Sequence, residues 1–259
     1  MLRPHSLLWH YLWVGPHVLQ LILAIILWRR GFHKQFPFFF TYLVFVGIDG
    51  VILWVLDWLP SVSAVAYWQT DYAEAVLEGL LTLAVVWEIF SHLVRPYPAR
   101  ARSGKRLIML TGAVLVPLAV LATHNPVAPT ALIGHLYSLL LGLYTVLSGL
   151  MLFLFLFSTY HRLTWDRLAL GVALGFSIDW CEHAAGCALI ASGIRDTRLD
   201  FLSMATYHVC VLIWYYYLLF PAHPGLASID NGISPKRKTD GPIGRIGQRL
   251  QPARLLARL

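Results

Sequence analysis

Six polar side chains fall on one face of the segment from Asp71 to His92, DYAEAVLEGLLTLAVVWEIFSH. At 100° per residue, Asp71, Glu74, Glu78, Thr82, Glu88 and His92 share an arc about 120° wide and run roughly 31 Å along a helix axis, close to one hydrocarbon thickness. Carboxylates at such depth cost at least ~2.5 kcal/mol each, so they face a bundle interior or a wet cavity with a partner. Other apolar segments offer partners. Counted inward from each segment's outer end, His17, Asp49, Glu78, His183 and His208 lie about 10–15 Å deep. Glu182 is one residue away in sequence, Asp179 and His135 fall within a turn or two, and Glu74 and Tyr207 flank the same level.

Three chemistries could use that layer, and the sequence leaves them open. His17, Glu78, Glu182, His183 and His208 would supply an N/O ligand set for a divalent metal such as zinc, iron or manganese, as in a membrane-embedded hydrolase or oxidoreductase. Asp49, Glu74, Glu78, Asp179, Glu182 and Tyr207 would equally serve a receptor or transport-like protein whose cavity binds a small ligand, proton or ion. A buried hydrogen-bond network with no ligand would use the same residues. Glu88 and His92 form a separate pair at spacing i, i+4, which predicts an intrahelical salt bridge and offers a weaker metal pair.

Seven apolar runs must position these groups: 8–28, 36–58, 69–94, 106–123, 130–158, 166–193 and 201–220. Each is long enough to span a bilayer. With 58% hydrophobic and 13% charged residues, no room remains between them for a soluble catalytic domain. The first run is too long for a signal h-region and lacks a small-residue cleavage site, so it is expected to be retained. Basic residues set the orientation: loops 29–35, 95–106 and 159–167 carry three, five and two, and the tail after Phe220 seven, against Arg3, Arg195 and Arg198 on the other side. That asymmetry predicts an outer N-terminus and a cytoplasmic C-terminus. The net charge of +7 is then a topological signal suited to anionic lipid, and not a nucleic-acid footprint. Cys181, Cys187 and Cys210 lie in apolar runs without a CxxC pair and read as packed thiols.

Within the runs, Gly15-Pro16 predicts a kink whose freed carbonyl His17 could satisfy. Gly171 and Gly175 predict a close helix contact, and Gly142 and Gly149 another. From Leu107 to Thr123 the fourth run has no ionisable residue and reads as lipid-facing scaffold, whereas Asp57, beside Pro60, reads as solvated. A retinal protein would need a lysine in the seventh run, and there is none. A ceramidase-like zinc hydrolase would need His-x-x-x-His late in the chain, where this sequence has His183-x-x-x-Cys187. The segment YWQTDYAEAVLEGLLTLAVVWEIFSHLVRPYP resembles uncharacterised bacterial multi-pass membrane proteins of seven helices, a resemblance that implies no function.

The expectation is an all-α membrane protein, a bundle of seven transmembrane helices over residues 1–221, in the cytoplasmic membrane of a bacterial cell. A basic tail over 222–259 should be disordered or lie on the membrane surface.

Overall fold

A computed structural model of the chain describes residues 6–122, 131–191, 194 and 196–220. These form α1 (Leu7–Arg29), α2 (Pro37–Trp58), α3 (Ala64–Val94), α4 (Pro98–Ala122), α5 (Ala131–Tyr160), α6 (Arg167–Ala191) and α7 (Thr197–Leu219), with no strand among the described residues. Side-chain caps start four of them, α6 through the Leu168 amide, which donates to Asp166 Oδ1 at 2.8 Å. The Trp9 amide donates to Ser6 Oγ and the Ala66 amide to Ser63 Oγ, both at 3.2 Å, and the Arg198 amide donates to Asp196 Oδ1 at 2.9 Å. Each cap satisfies one of the four amides a helix leaves open at its start. The basic tail 222–259 lies outside the described residues.

Five helices are long and apolar enough to cross a membrane: α1, α2, α4, α5 and α7. The chain is thus a multi-pass, helical membrane protein. The remaining two, α3 and α6, are the helices that carry Asp71, Glu74, Glu78 and Glu88, and Asp179 and Glu182.

The stretch 95–106, expected as a basic loop, is a loop only as far as Tyr97. Pro98 takes the first helical position, where its missing N–H costs nothing, and Ala, Arg and Lys after it are strong helix formers. Arg100 stacks over the Tyr97 ring and donates to the His161 carbonyl at 2.8 Å, tying the start of α4 to the end of α5.

Helices α1, α2, α3, α5, α6 and α7 pack successively into a ring that closes between α1 and α7. α4 lies outside it, against α3 and α5. Met109, Leu110, Val114, Leu118 and Leu121 of α4 are accordingly exposed, as expected of a lipid-facing scaffold. The basic end of the bundle is gathered by side chain to main chain bonds: Arg30 donates to the Leu218 carbonyl at 3.0 Å and Arg167 to the Tyr216 carbonyl at 3.4 Å.

α6 and α7 are packed without room for a side chain at Gly171 and Gly175. A Cβ on Gly171 would lie 2.3 Å from Tyr217 Cβ, and one on Gly175 2.2 Å from Trp214 Nε1. Trp214 can therefore pack against Gly175 and donate to the Val172 carbonyl at 3.4 Å. Around it, Phe39, Tyr42, Phe176 and Trp180 form a buried aromatic plug with ring centroids 4.8–6.1 Å apart, the edge-to-face and offset range in which aromatic pairs are favourable.

Candidate functional site

The acidic face of α3 points into the ring. Val76, Leu77 and Leu80 are exposed while Glu74 and Glu78 are turned inward, as the helical period requires. Glu78 Oε1 accepts from the Tyr42 hydroxyl at 2.9 Å. Tyr42 is fully buried, and its hydroxyl meets that of Tyr207, which in turn accepts from the side-chain amide of Gln20. Four helices thus contribute to one chain of polar groups, Gln20, Tyr207, Tyr42 and Glu78. Asp49 stands behind Glu74, and their carboxyls make side-chain hydrogen-bonding contact.

Across the ring, α6 presents Asp179, Glu182 and His183. His183 Nδ1 lies 2.9 Å from the main-chain oxygen of Asp179, which takes its hydrogen bond, while Asp179 Oδ1 and Glu182 Oε2 stand 3.6 and 3.3 Å away. Ser203 of α7 donates to Glu182 Oε2 at 2.9 Å. The His183 ring packs on Tyr144, centroids 5.0 Å apart. Asp179 Oδ1 is buried and accepts no hydrogen bond.

These groups surround a cavity of about 270 Å³, whose walls include His17, Asp71, Glu74, Glu78, Asp179, His183 and Tyr207. A second, larger cavity of about 820 Å³ shares Trp13, Asp71, Ser203 and Met204 with the first and continues toward the end of the bundle opposite the basic residues. Trp9, Leu56, Asp57, Leu59 and Asp200 line this vestibule. Asp57 is exposed there, as its position beside Pro60 predicts. The aromatic plug lies beneath the chamber, linked to it by the Tyr42 hydroxyl, which donates to the chamber residue Glu78.

Several expected partnerships are not formed. No group of three or more His, Cys, Asp or Glu could hold a metal ion among the described residues. The imidazoles expected to converge with Glu78 and Glu182 instead face separate partners. His17 Nδ1 lies 3.2 Å from the Val46 carbonyl of α2, not on a carbonyl freed by Pro16, and occupies the gap left by Gly50, where a Cβ would fall 2.2 Å from its ring. His183 is engaged within α6. His208 packs on Tyr11, centroids 5.4 Å apart, and against Gly15 of α1. His183 and His208 share none of these partners, so the stability losses of His183→Ala and His208→Ala are expected to add within about 0.5 kcal/mol in the double variant. Thermal unfolding of the four proteins would measure this, and a double variant no worse than either single change would restore a shared site. The His135 side chain lies outside the described residues.

Glu88 and His92 do not form the expected intrahelical pair. Glu88 accepts from the amides of Phe38 and Phe39 at 3.0 and 2.9 Å, and His92 Nε2 lies 2.7 Å from the Gln35 carbonyl while its ring stacks on Phe36. Glu88 caps the start of α2, whose own N-cap residue, Phe36, offers no side-chain acceptor, and His92 holds the chain just ahead of it. Gln20, Tyr42, Tyr144 and Ser203 join the site without having been singled out in the sequence. For Tyr42 a signal existed, because it lies seven residues before Asp49 and therefore on the same helical face. No family model, curated protein or solved structure matches the chain.

Proposed function

We propose that the chain crosses the membrane seven times with its N-terminus outside, and that the chamber is the outward-facing binding site of a receptor or transport-like protein for a small polar ligand. The observation that carries this reading is the paired cavity: a chamber of about 270 Å³ walled by acids, joined to a vestibule at the end away from the basic residues. Protein interiors seldom leave voids larger than a water molecule, so a network serving packing alone would be dry and filled. The aromatic plug separates the chamber from the basic end, which favours occlusion of a ligand over an open pore. The spread of Lys and Arg supports the orientation. At the basic end, Arg30, Arg100, Lys105 and Arg167 are set to meet anionic lipid headgroups, with Lys105 stacked over Trp87 at 5.7 Å. The resemblance to bacterial multi-pass proteins makes the cytoplasmic membrane the natural location.

Single cysteines test this in a Cys181→Ser background, since Cys181 is exposed. Asp196→Cys and Ser203→Cys should react with an impermeant maleimide added outside intact cells, and Arg100→Cys only after permeabilisation. Labelling of residues 100 and 196 from the same side would end the seven-span reading. Ser203→Cys that reacts only from the basic side would end the outward-facing one.

A further inference from the structure

We infer that the ligand is a small organic cation, an ammonium group on a short apolar or aromatic body, whose head group is received by Asp179 and the neighbouring carboxylates of the chamber. The inference rests on the reading of the chamber as a binding site and deepens it.

The charge of the walls comes first. Among the described residues lining chamber and vestibule there are Asp57, Asp71, Glu74, Glu78, Asp179 and Asp200, and neither lysine nor arginine. The two imidazoles of the wall, His17 and His183, already hold main-chain oxygens through Nδ1, so an anion would find no fixed cation here. Clefts lined by one sign of charge within low-dielectric walls concentrate the opposite ion. Acids alone would not point to a ligand, and the state of Asp179 does. It is 3% exposed and faces the chamber, yet its Oδ1 accepts no hydrogen bond. The neighbouring His183 Nδ1, 3.6 Å away, is committed to the main-chain oxygen of Asp179 at 2.9 Å. A buried carboxylate oxygen left without a donor is costly unless a donor arrives from outside, and an ammonium brings up to three.

Size and wall chemistry separate an organic cation from an inorganic one. A bare metal needs several donors within about 2.0–2.6 Å of one point, and no three candidates are so placed among the described residues. A chamber of about 270 Å³ is far roomier than that and falls just under the ~300–1,000 Å³ of drug-sized ligand pockets. Its walls also include the rings of Trp13, Tyr144 and Tyr207, surfaces that attract a cation over their faces and pack an apolar body. The joint between the two cavities, at Trp13, Asp71 and Met204, repeats that pairing of ring, acid and apolar side chain along the way in.

Calorimetric titration of the purified full-length chain in detergent tests this with three probes of one shape: benzylammonium, benzyl alcohol and benzoate. Benzylammonium should bind, and the alcohol and the carboxylate at least about thirtyfold more weakly, as should benzylammonium to Asp179→Asn, the low end of what removing one partner from a buried charge pair costs. Should Asp179→Asn fail to fold, Glu78→Gln is the second isosteric variant, with the same expected loss. Equal binding of alcohol or benzoate, abolished when Ser203→Cys carries a bulky maleimide, would overturn the cation and leave the chamber as a binding site. Binding of no probe, or binding indifferent to that label, would overturn both.

Discussion

Replacing Glu88 with alanine is expected to lower the stability of the folded chain by roughly 2–7 kcal/mol, although the residue lies away from the chamber. Pro37 removes one open amide from the start of α2, and Phe36 caps none with its side chain. The amides of Phe38 and Phe39 are left to Glu88, which takes one on each carboxylate oxygen at 3.0 and 2.9 Å while itself 5% exposed. Truncation strands two amides at about 1–3 kcal/mol apiece and removes a negative charge from a helix N-terminus, itself worth about 0.3–1 kcal/mol. Glu88→Gln keeps the shape but only one acceptor oxygen, and should recover about half. Thermal unfolding in detergent, followed by circular dichroism, measures the series. A Glu88→Ala protein within about 0.5 kcal/mol of the parent, as a surface change would be, would mean that water or another group replaces the cap.

The second large effect is expected at Gly171, where one added methyl should destabilise by at least ~1–3 kcal/mol. Its Cβ would meet Tyr217 Cβ at 2.3 Å. No rotamer change relieves a clash with a Cβ, so Gly171→Ala can be accommodated only by moving α7 off α6. That movement would also disturb the Trp214 bond to the Val172 carbonyl one residue along. Gly112 of α4 is the internal control, since nothing lies within 4 Å of a Cβ built there. Gly112→Ala should be neutral or stabilise by up to ~1 kcal/mol through the better helix propensity of alanine. Equal unfolding temperatures for the two variants would contradict the close packing of α6 on α7.

The same contrast marks how far sequence reasoning reaches. Helix number and approximate limits were legible because apolar length is a property of each segment by itself. The acidic face of α3 was legible because period fixes azimuth within one helix, and Gly171 with Gly175 because small residues one turn apart have few other uses in a membrane. Partners on other helices were not. Counting residues from a segment's end gives height and says nothing about direction, so His208 could share the level of Glu78 and still face Tyr11 and Gly15 of α1. Glu88 and His92 were paired by their own helical spacing, whereas their actual partners lie at or just before the start of α2, 49 to 57 residues away. Tyr42 was hidden for a different reason: in a chain with 14% aromatic residues, one more ring near the others reads as packing. The helical start at Pro98 was missed because basic residues were read for topology before being read for propensity.

The ring closes between its first and last helices, which has a consequence for biosynthesis. Hydrogen bonds across that seam include Gln20 to Tyr207, the Tyr215 hydroxyl to the Leu19 carbonyl, and Arg30 to the Leu218 carbonyl. Gln20 and Tyr207 are 187 residues apart, roughly 10–40 s of translation at ordinary elongation rates. Throughout that interval α1 sits in the bilayer with the amide of Gln20, fully buried in the finished bundle, still waiting for its acceptor. A nascent chain halted before Thr197 would hold six helices and no closed chamber, so insertion machinery or a chaperone that shields polar surface within lipid has its natural substrate in the unfinished seam.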